Sequence, residues 1–199
     1  MHHPGKNTAI WAAALLLSAA SQAQETPLGS RARAFARQTF GPGAWLRAGA
    51  GAGFNQLCGR PYEWGGGTDG AARRFASGFG QQAVKASIQF GVGAWRHEAP
   101  AYAPSRRSGW WNRARHAIAY TIMTPREGDR DDSIAAGRLA GAFGSGMISR
   151  LWQPERLHTA GSGLASGAIS LGLDACMNAF REFWPDLRRK LRGNRRPRP

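Results

Sequence analysis

The stretch Asp69-Gly-Ala-Ala-Arg-Arg-Phe-Ala-Ser-Gly-Phe-Gly-Gln-Gln-Ala-Val-Lys-Ala-Ser-Ile-Gln-Phe-Gly-Val-Gly-Ala-Trp95 decides the fold class. Phe75, Phe79, Ala83, Ala86, Phe90 and Ala94 fall at spacings of four and three, and Val84, Ile88, Val92 and Trp95 form an adjoining apolar stripe. Arg74, Ser77, Gln81, Lys85 and Gln89 line a polar face. This is the 3.6-residue period of an amphipathic helix, and no strand alternation fits it. Asp69 stands where its side chain caps the helix start and its charge meets the positive end of the dipole.

Working outward, the same helical reading extends in both directions. Upstream, Leu28 to Phe40 reads as a short helix, Gly41-Pro42-Gly43 breaks it, and Ala44 to Leu57 reads as the next, with Pro42 suited to a first turn. Arg60-Pro61 opens an irregular turn through Gly65-Gly66-Gly67. Downstream, Glu98 to Arg113 reads as a loop and Asn112 to Met123 as a short helix. Pro125 to Asp132 reads as a charged loop, after which Asp132 or Ser133 caps a helix reaching Leu151 or Trp152. Pro154 starts another helix to about Trp184, Pro185 interrupts it, and a basic helical turn ends near Gly193. The expectation is an all-α domain of five to seven helices over residues 24–193, followed by a disordered basic tail over 194–199.

The first 23 residues read differently. Lys6 precedes the apolar run Ile10 to Ala20, and Ser21-Gln22-Ala23 places small residues two apart. A basic lead, a short apolar run and such a site make a secretory signal peptide, with cleavage expected after Ala23. The run is too short to span a bilayer, which needs about 20 residues. Export to the periplasm or the face of an envelope membrane is therefore expected.

The formal net charge is +15, and all but three of the 27 basic residues are arginine. For an exported chain the anionic partners are lipid or a cell-wall polymer, and no nucleic acid is expected. The competing reading is that arginine, abundant here with Ala, Gly and Pro, only solubilises the surface. The C-terminal run Arg188, Arg189, Lys190, Arg192, Arg195, Arg196 and Arg198 contains no acid and is the candidate anionic-surface binder. Trp110-Trp111, among Arg106, Arg107, Arg113 and Arg115, suits a headgroup interface or a loop held by cation–π contacts.

Small residues recur at helical spacing: Gly49 and Gly53, then Gly137, Gly141 and Gly144, then Gly163 and Gly167. Each glycine costs about 1 kcal/mol against alanine inside a helix, and close helix–helix approach is the compensating gain. Packing through Gly/Ala ridges and homo-oligomer formation are the two outcomes expected of such ridges. The longest uncharged runs, Thr159 to Leu173 and Leu139 to Ser149, are both too short for an ordinary span.

The chemistry-bearing residues are few. His97, His116 and His158 are too scattered for a zinc site, and neither HExxH, GxSxG, P-loop nor Rossmann fingerprint occurs, so no cofactor or metal is expected. His97 and Glu98 are adjacent, so their side chains diverge on a helix. Asp174 in an apolar helix is the most unusual carboxylate, with Arg138 or Arg150 as the expected partner if it is buried. Cys58 and Cys176 allow one intramolecular disulfide, although Cys176 in an apolar helical stretch also reads as a small core residue.

Several phrases occur together in order: Phe40-Gly-Pro-Gly43, Arg60-Pro-Tyr-Glu-Trp-Gly65, Arg96-His-Glu98 with Pro100 and Tyr102, Ile148-Ser-Arg-Leu-Trp-Gln-Pro154, and Phe180-Arg-Glu-Phe-Trp-Pro-Asp186. From about Arg37 to Arg192 the chain resembles a family of uncharacterised exported bacterial proteins of acidobacteria-like soil organisms. The resemblance implies an exported single-domain protein and carries no activity or catalytic residues. Cys176 is atypical of that pattern, which counts against a disulfide. The leading expectation is a non-enzymatic cell-envelope protein, membrane-associated or self-assembling through its helices. The runner-up is a periplasmic enzyme built on His97, Glu98 and Asp174, and the third reading is a soluble binding module for an anionic envelope polymer.

Overall fold

The structure, a computed structural model, describes residues 27–99, 102–105, 108–125 and 132–193. The expected signal peptide over 1–23 and the expected basic tail over 194–199, with Arg195 and Arg196, lie outside the described residues. The described part is all-α. Six α-helices follow one another: α1 Pro27–Phe40, α2 Pro42–Leu57, α3 Gly67–Trp95, α4 Trp110–Ile122, α5 Ala136–Ile148 and α6 Ala160–Gly193. Pro42 does open α2, where a missing N–H costs nothing.

Helix α3 is the spine. Helices α1 and α2 lie along one side of it, α5 crosses it antiparallel, and α6 packs on α5 and runs parallel to α3. Helix α4 packs against the C-terminal half of α6.

Four local expectations are corrected. Gly66, not Asp69, stands at the cap of α3, and the last helix begins at Ala160 after a 3-10 turn at Glu155–Leu157, not at Pro154. Residues 132–134 do not cap a helix: they form strand β2, Asp132–Ile134, which pairs antiparallel with β1, Met123–Pro125, in the register Met123 to Ile134. α5 begins only at Ala136 and passes into a 3-10 turn at Ser149–Trp152. Nor does Pro185 interrupt the last helix, since α6 runs through it to Gly193. Arg113 of α4 explains the continuity. Its guanidinium grips Glu182 and Asp186 on either side of Pro185, and it also donates to the Glu182 carbonyl.

The largest correction concerns which way α3 faces. Its polar stripe is turned inward: Arg74, Ser77 and Lys85 are buried, whereas Trp95 is 79% exposed and Phe75 and Phe79 are only half-buried. The same inversion runs through the molecule. The buried apolar residues are small, Ala44, Ala48, Ala52, Ala86, Ala117, Ala135 and Ala142, with Tyr120 the one exception among the described residues. Large apolar side chains lie outside, among them Leu46, Phe54, Leu57, Trp110, Trp111, Leu164, Ile169 and Leu173.

Candidate functional site

The inward stripe of α3 meets its partners as a row of hydrogen bonds. Gln81 Nε2 donates to Ser166 Oγ at 2.9 Å and Lys85 Nζ to Ser170 Oγ at 2.8 Å. Lys85 Nζ also pairs with Asp174 Oδ2 at 2.6 Å. Ser166, Ser170 and Asp174 recur every four residues and so share one face of α6. One end of the row is closed by Ser77, whose hydroxyl accepts from Trp152 Nε1 and Gln153 Nε2. At the other end Gln38 of α1 donates to Gln89. Asp174 is thus paired with Lys85, not with the expected arginines. Arg138 instead donates to the Tyr120 carbonyl and stacks on that ring, while Arg150 turns back to Gly146 O and Ser149 Oγ.

Close approach makes this row reachable. A methyl group at Gly137 would stand 2.9 Å from Glu98 Oε2, at Gly141 2.9 Å from the Lys85 carbonyl, and at Gly144 2.9 Å from Ile88 Cδ1. At Gly167 it would lie 2.9 Å from Phe143 Cα, and at Gly163 it would collide with Met147. These five glycines are where α5 meets α3 and α6. By contrast, Gly49 and Gly53 on α2 have nothing within 4 Å of such a methyl.

The His97–Glu98 pair separates as its spacing requires. His97 is exposed at a positive φ of 55°, whereas Glu98 is buried, accepting from Arg96 Nε at 3.2 Å and from the Gly137 N–H at 3.0 Å. A carboxylate on the first N–H groups of α5 satisfies the helix N-terminus and its dipole. Glu98 also lines a cavity of about 40 Å³ with Arg31 and Arg138. That is room for water, against about 300–1,000 Å³ for an ordinary small-molecule pocket. Asp174 is not drawn to this corner, because Lys85 holds it ten residues, about 15 Å, before the end of α3. Among the described residues, no group of three His, Cys, Asp or Glu side chains is placed to hold a metal ion.

A second polar hub joins α4 to α6 and was not singled out from the sequence. The Glu182 carboxylate is fully buried and accepts from Tyr102 Oη at 2.7 Å, the Ser105 N–H at 2.9 Å and Arg113 Nε at 2.8 Å. Burial alone would raise its pKa, but these donors together hold it below the usual carboxylate range. Burial and the Glu182 hydrogen bond push the Tyr102 phenol up. Hydrogen bonds from Arg113 and Arg189 hold Asp186 down. The spacing of Glu182 and Asp186, four apart on one face, was the available signal.

Around this hub the surface is aromatic and basic. Trp110 and Trp111 stack at 5.8 Å, Trp110 lies 6.2 Å from Phe183, and Arg113 sits 4.8 Å above the Phe183 ring. The two tryptophans therefore open a helix rather than occupy a loop. Arg188, Arg189, Lys190 and Arg192 extend from the same end of α6, all exposed. Cys58 and Cys176 are both free and exposed, so Cys176 is not the small core residue that its apolar helical stretch suggested. Cys58 caps the end of α2 and Cys176 lies on an outward face of α6, so each thiol points away from the packed interior. Comparison with family models, with curated proteins and with solved structures finds no match.

Proposed function

We propose that this chain is a non-enzymatic cell-envelope protein that associates with a membrane surface. The observation that carries the reading is that the bundle buries polar groups such as Arg74, Lys85, Ser145, Glu98 and Glu182, while large tryptophan, phenylalanine and leucine side chains stand outside among exposed arginines. In water such an exterior is a standing cost of about 25 cal/mol per Å² of apolar surface, which an apolar phase removes. Buried polar groups satisfied by one another are what that phase demands of a helical interior. No described helix is long and apolar enough to cross a membrane, so the reading is of a peripheral protein lying in the interface. Trp110 and Trp111, with Arg188, Arg189, Lys190 and Arg192 on the same end of the molecule, supply the headgroup-level chemistry.

The test is flotation of the chain from Gln24 onward with vesicles of anionic or zwitterionic phospholipid. Binding to anionic vesicles that weakens in high salt is expected, falling by about five orders of magnitude on removal of the seven basic residues within 188–199, at about 1 kcal/mol for each that lies near the surface. A chain that stays in the soluble fraction with both kinds of vesicle defeats the reading.

A further inference from the structure

Helix α6 uses nearly all of its circumference inside the chain. Gly163 and Gly167 meet α5; Ser166, Ser170 and Asp174 meet α3; Asn178, Glu182, Phe183 and Asp186 meet α4. One line of large residues is left over: Ile169, Leu173, Phe180, Trp184, Leu187 and Leu191, each between 44% and 65% exposed. Cys176, also exposed, stands between Leu173 and Phe180 on the same line. The steps along it are four, three, four, four, three and four residues. This is the seam of a coiled coil, with a stutter where Phe180 steps by four to Trp184. It is about 33 Å long and a single side chain wide.

We propose that this seam pairs antiparallel with the same seam of a second copy of the chain, about a two-fold axis beside Cys176. A line one residue wide at heptad spacing matches another helix, whereas lipid needs no such register. Charge fixes the direction. Parallel pairing would lay Arg188, Arg189, Lys190 and Arg192 against themselves. Antiparallel pairing about Cys176 sets that basic end against the uncharged Gly161-Ser162-Gly163-Leu164-Ala165 of the other copy. Leu173 of one copy then meets Phe180 of the other, and Ile169 meets Trp184. Arg181 falls beside Gly172, where nothing stands within 4 Å of an added methyl. A small thiol is the side chain at the axis, where the two helices approach most closely. In this register the two seams overlap from Ile169 to Trp184, a strip of about 22 Å by 10 Å that is small against the roughly 800 Å² per partner of a standard interface, so the dimer is reversible and concentration-dependent. The pairing rests on α6 alone and is independent of whether the remaining apolar surface meets lipid.

The experiment is treatment of the otherwise native chain from Gln24 onward, without lipid, with a short bis-maleimide, followed by mass measurement and peptide mapping. The expected product is a dimer joined Cys176 to Cys176, in a yield that rises with protein concentration and is unchanged by Cys58→Ser. Leu173→Glu and Phe180→Glu, both at exposed positions, keep the helical circular dichroism and weaken the dimer at least about ten-fold, because each buries a carboxylate without a partner. A chain of monomer mass at every concentration overturns the proposal, as does a dimer joined only through Cys58. In a parallel sample with vesicles, a Cys176 protected from a monofunctional maleimide only when lipid is present assigns the seam to lipid and overturns the proposal equally. The vesicle flotation above is scored separately, so either proposal can fail while the other stands.

Discussion

Helices α5 and α2 are both rich in glycine, and they use it in opposite ways. On α5, Gly137, Gly141 and Gly146 lie against other chain segments so closely that a single methyl would collide with α3 or α6. On α2, Gly49, Gly51 and Gly53 face open space, and the helix packs on α3 through Ala44, Ala48 and Ala52 instead. The same residue type at the same spacing is thus a packing device in one helix and an uncompensated entropic cost in the other. The four-residue spacing cannot distinguish the two; only the neighbour can.

The contrast is open to attack by substitution. Gly167→Leu forces a branched chain into Phe143 and the α5 backbone and is expected to cost about 3 kcal/mol or more, read as a loss of the cooperative thermal transition. Gly141→Ala, whose methyl meets the Lys85 carbonyl and Gln89, is expected to cost about 2 kcal/mol in chemical denaturation. Gly49→Ala and Gly53→Ala should do the reverse, each raising stability by about 0.5–1 kcal/mol because the unfolded chain loses freedom and nothing is struck. Destabilisation at α2 comparable to that at α5 would erase the distinction.

A smaller effect separates the crossing from the α4–α6 hub by pH. Glu182 and Asp186 have folded-state pKa values below their unfolded ones, so their stabilisation is full above about pH 4.3 and is lost as the pH falls through the folded values. The melting temperature should be level near neutrality and fall below about pH 4. Glu182→Gln should flatten that fall, whereas Gly141→Ala should shift the whole curve without changing its slope.

The fold class was legible because the 3.6-residue period of Phe75, Phe79, Ala83, Ala86 and Phe90 admits only a helix. Helix bounds followed from Pro42, the glycine-rich turn at 65–67 and the break after Trp95. The sidedness of α3 was not legible. A hydrophobic stripe locates the two faces of a helix, but the rule that assigns the apolar face to the interior assumes an interior large enough for phenylalanine. Here alanine and glycine bring helices so close that serine, glutamine and lysine fill the gap. Asp174 was recognisable as an anomaly, yet its partner was sought among arginines. Lys85, one of only two lysines beyond residue 23, was placed on the polar face of α3 but not matched to Asp174. Glu182 was hidden by Arg181 beside it, since sequence neighbours on a helix point apart while Arg113 reaches in from a distant segment.

The pairs Gln81–Ser166 and Lys85–Ser170 share one offset of 85 residues. That constancy bears on which length changes the chain survives. Adding or removing one residue within 81–85 or 166–170 turns everything beyond it by about 100°, so the next rung of the ladder meets no counterpart. A length change between Pro125 and Asp132, in the connection that joins the two paired strands, leaves both ladders, Glu98 and the Glu182 hub intact. Lineages of this protein should therefore differ in length at that connection and keep the spacing of α3 and α6 invariant, a constraint on evolution by insertion and deletion rather than on any single side chain.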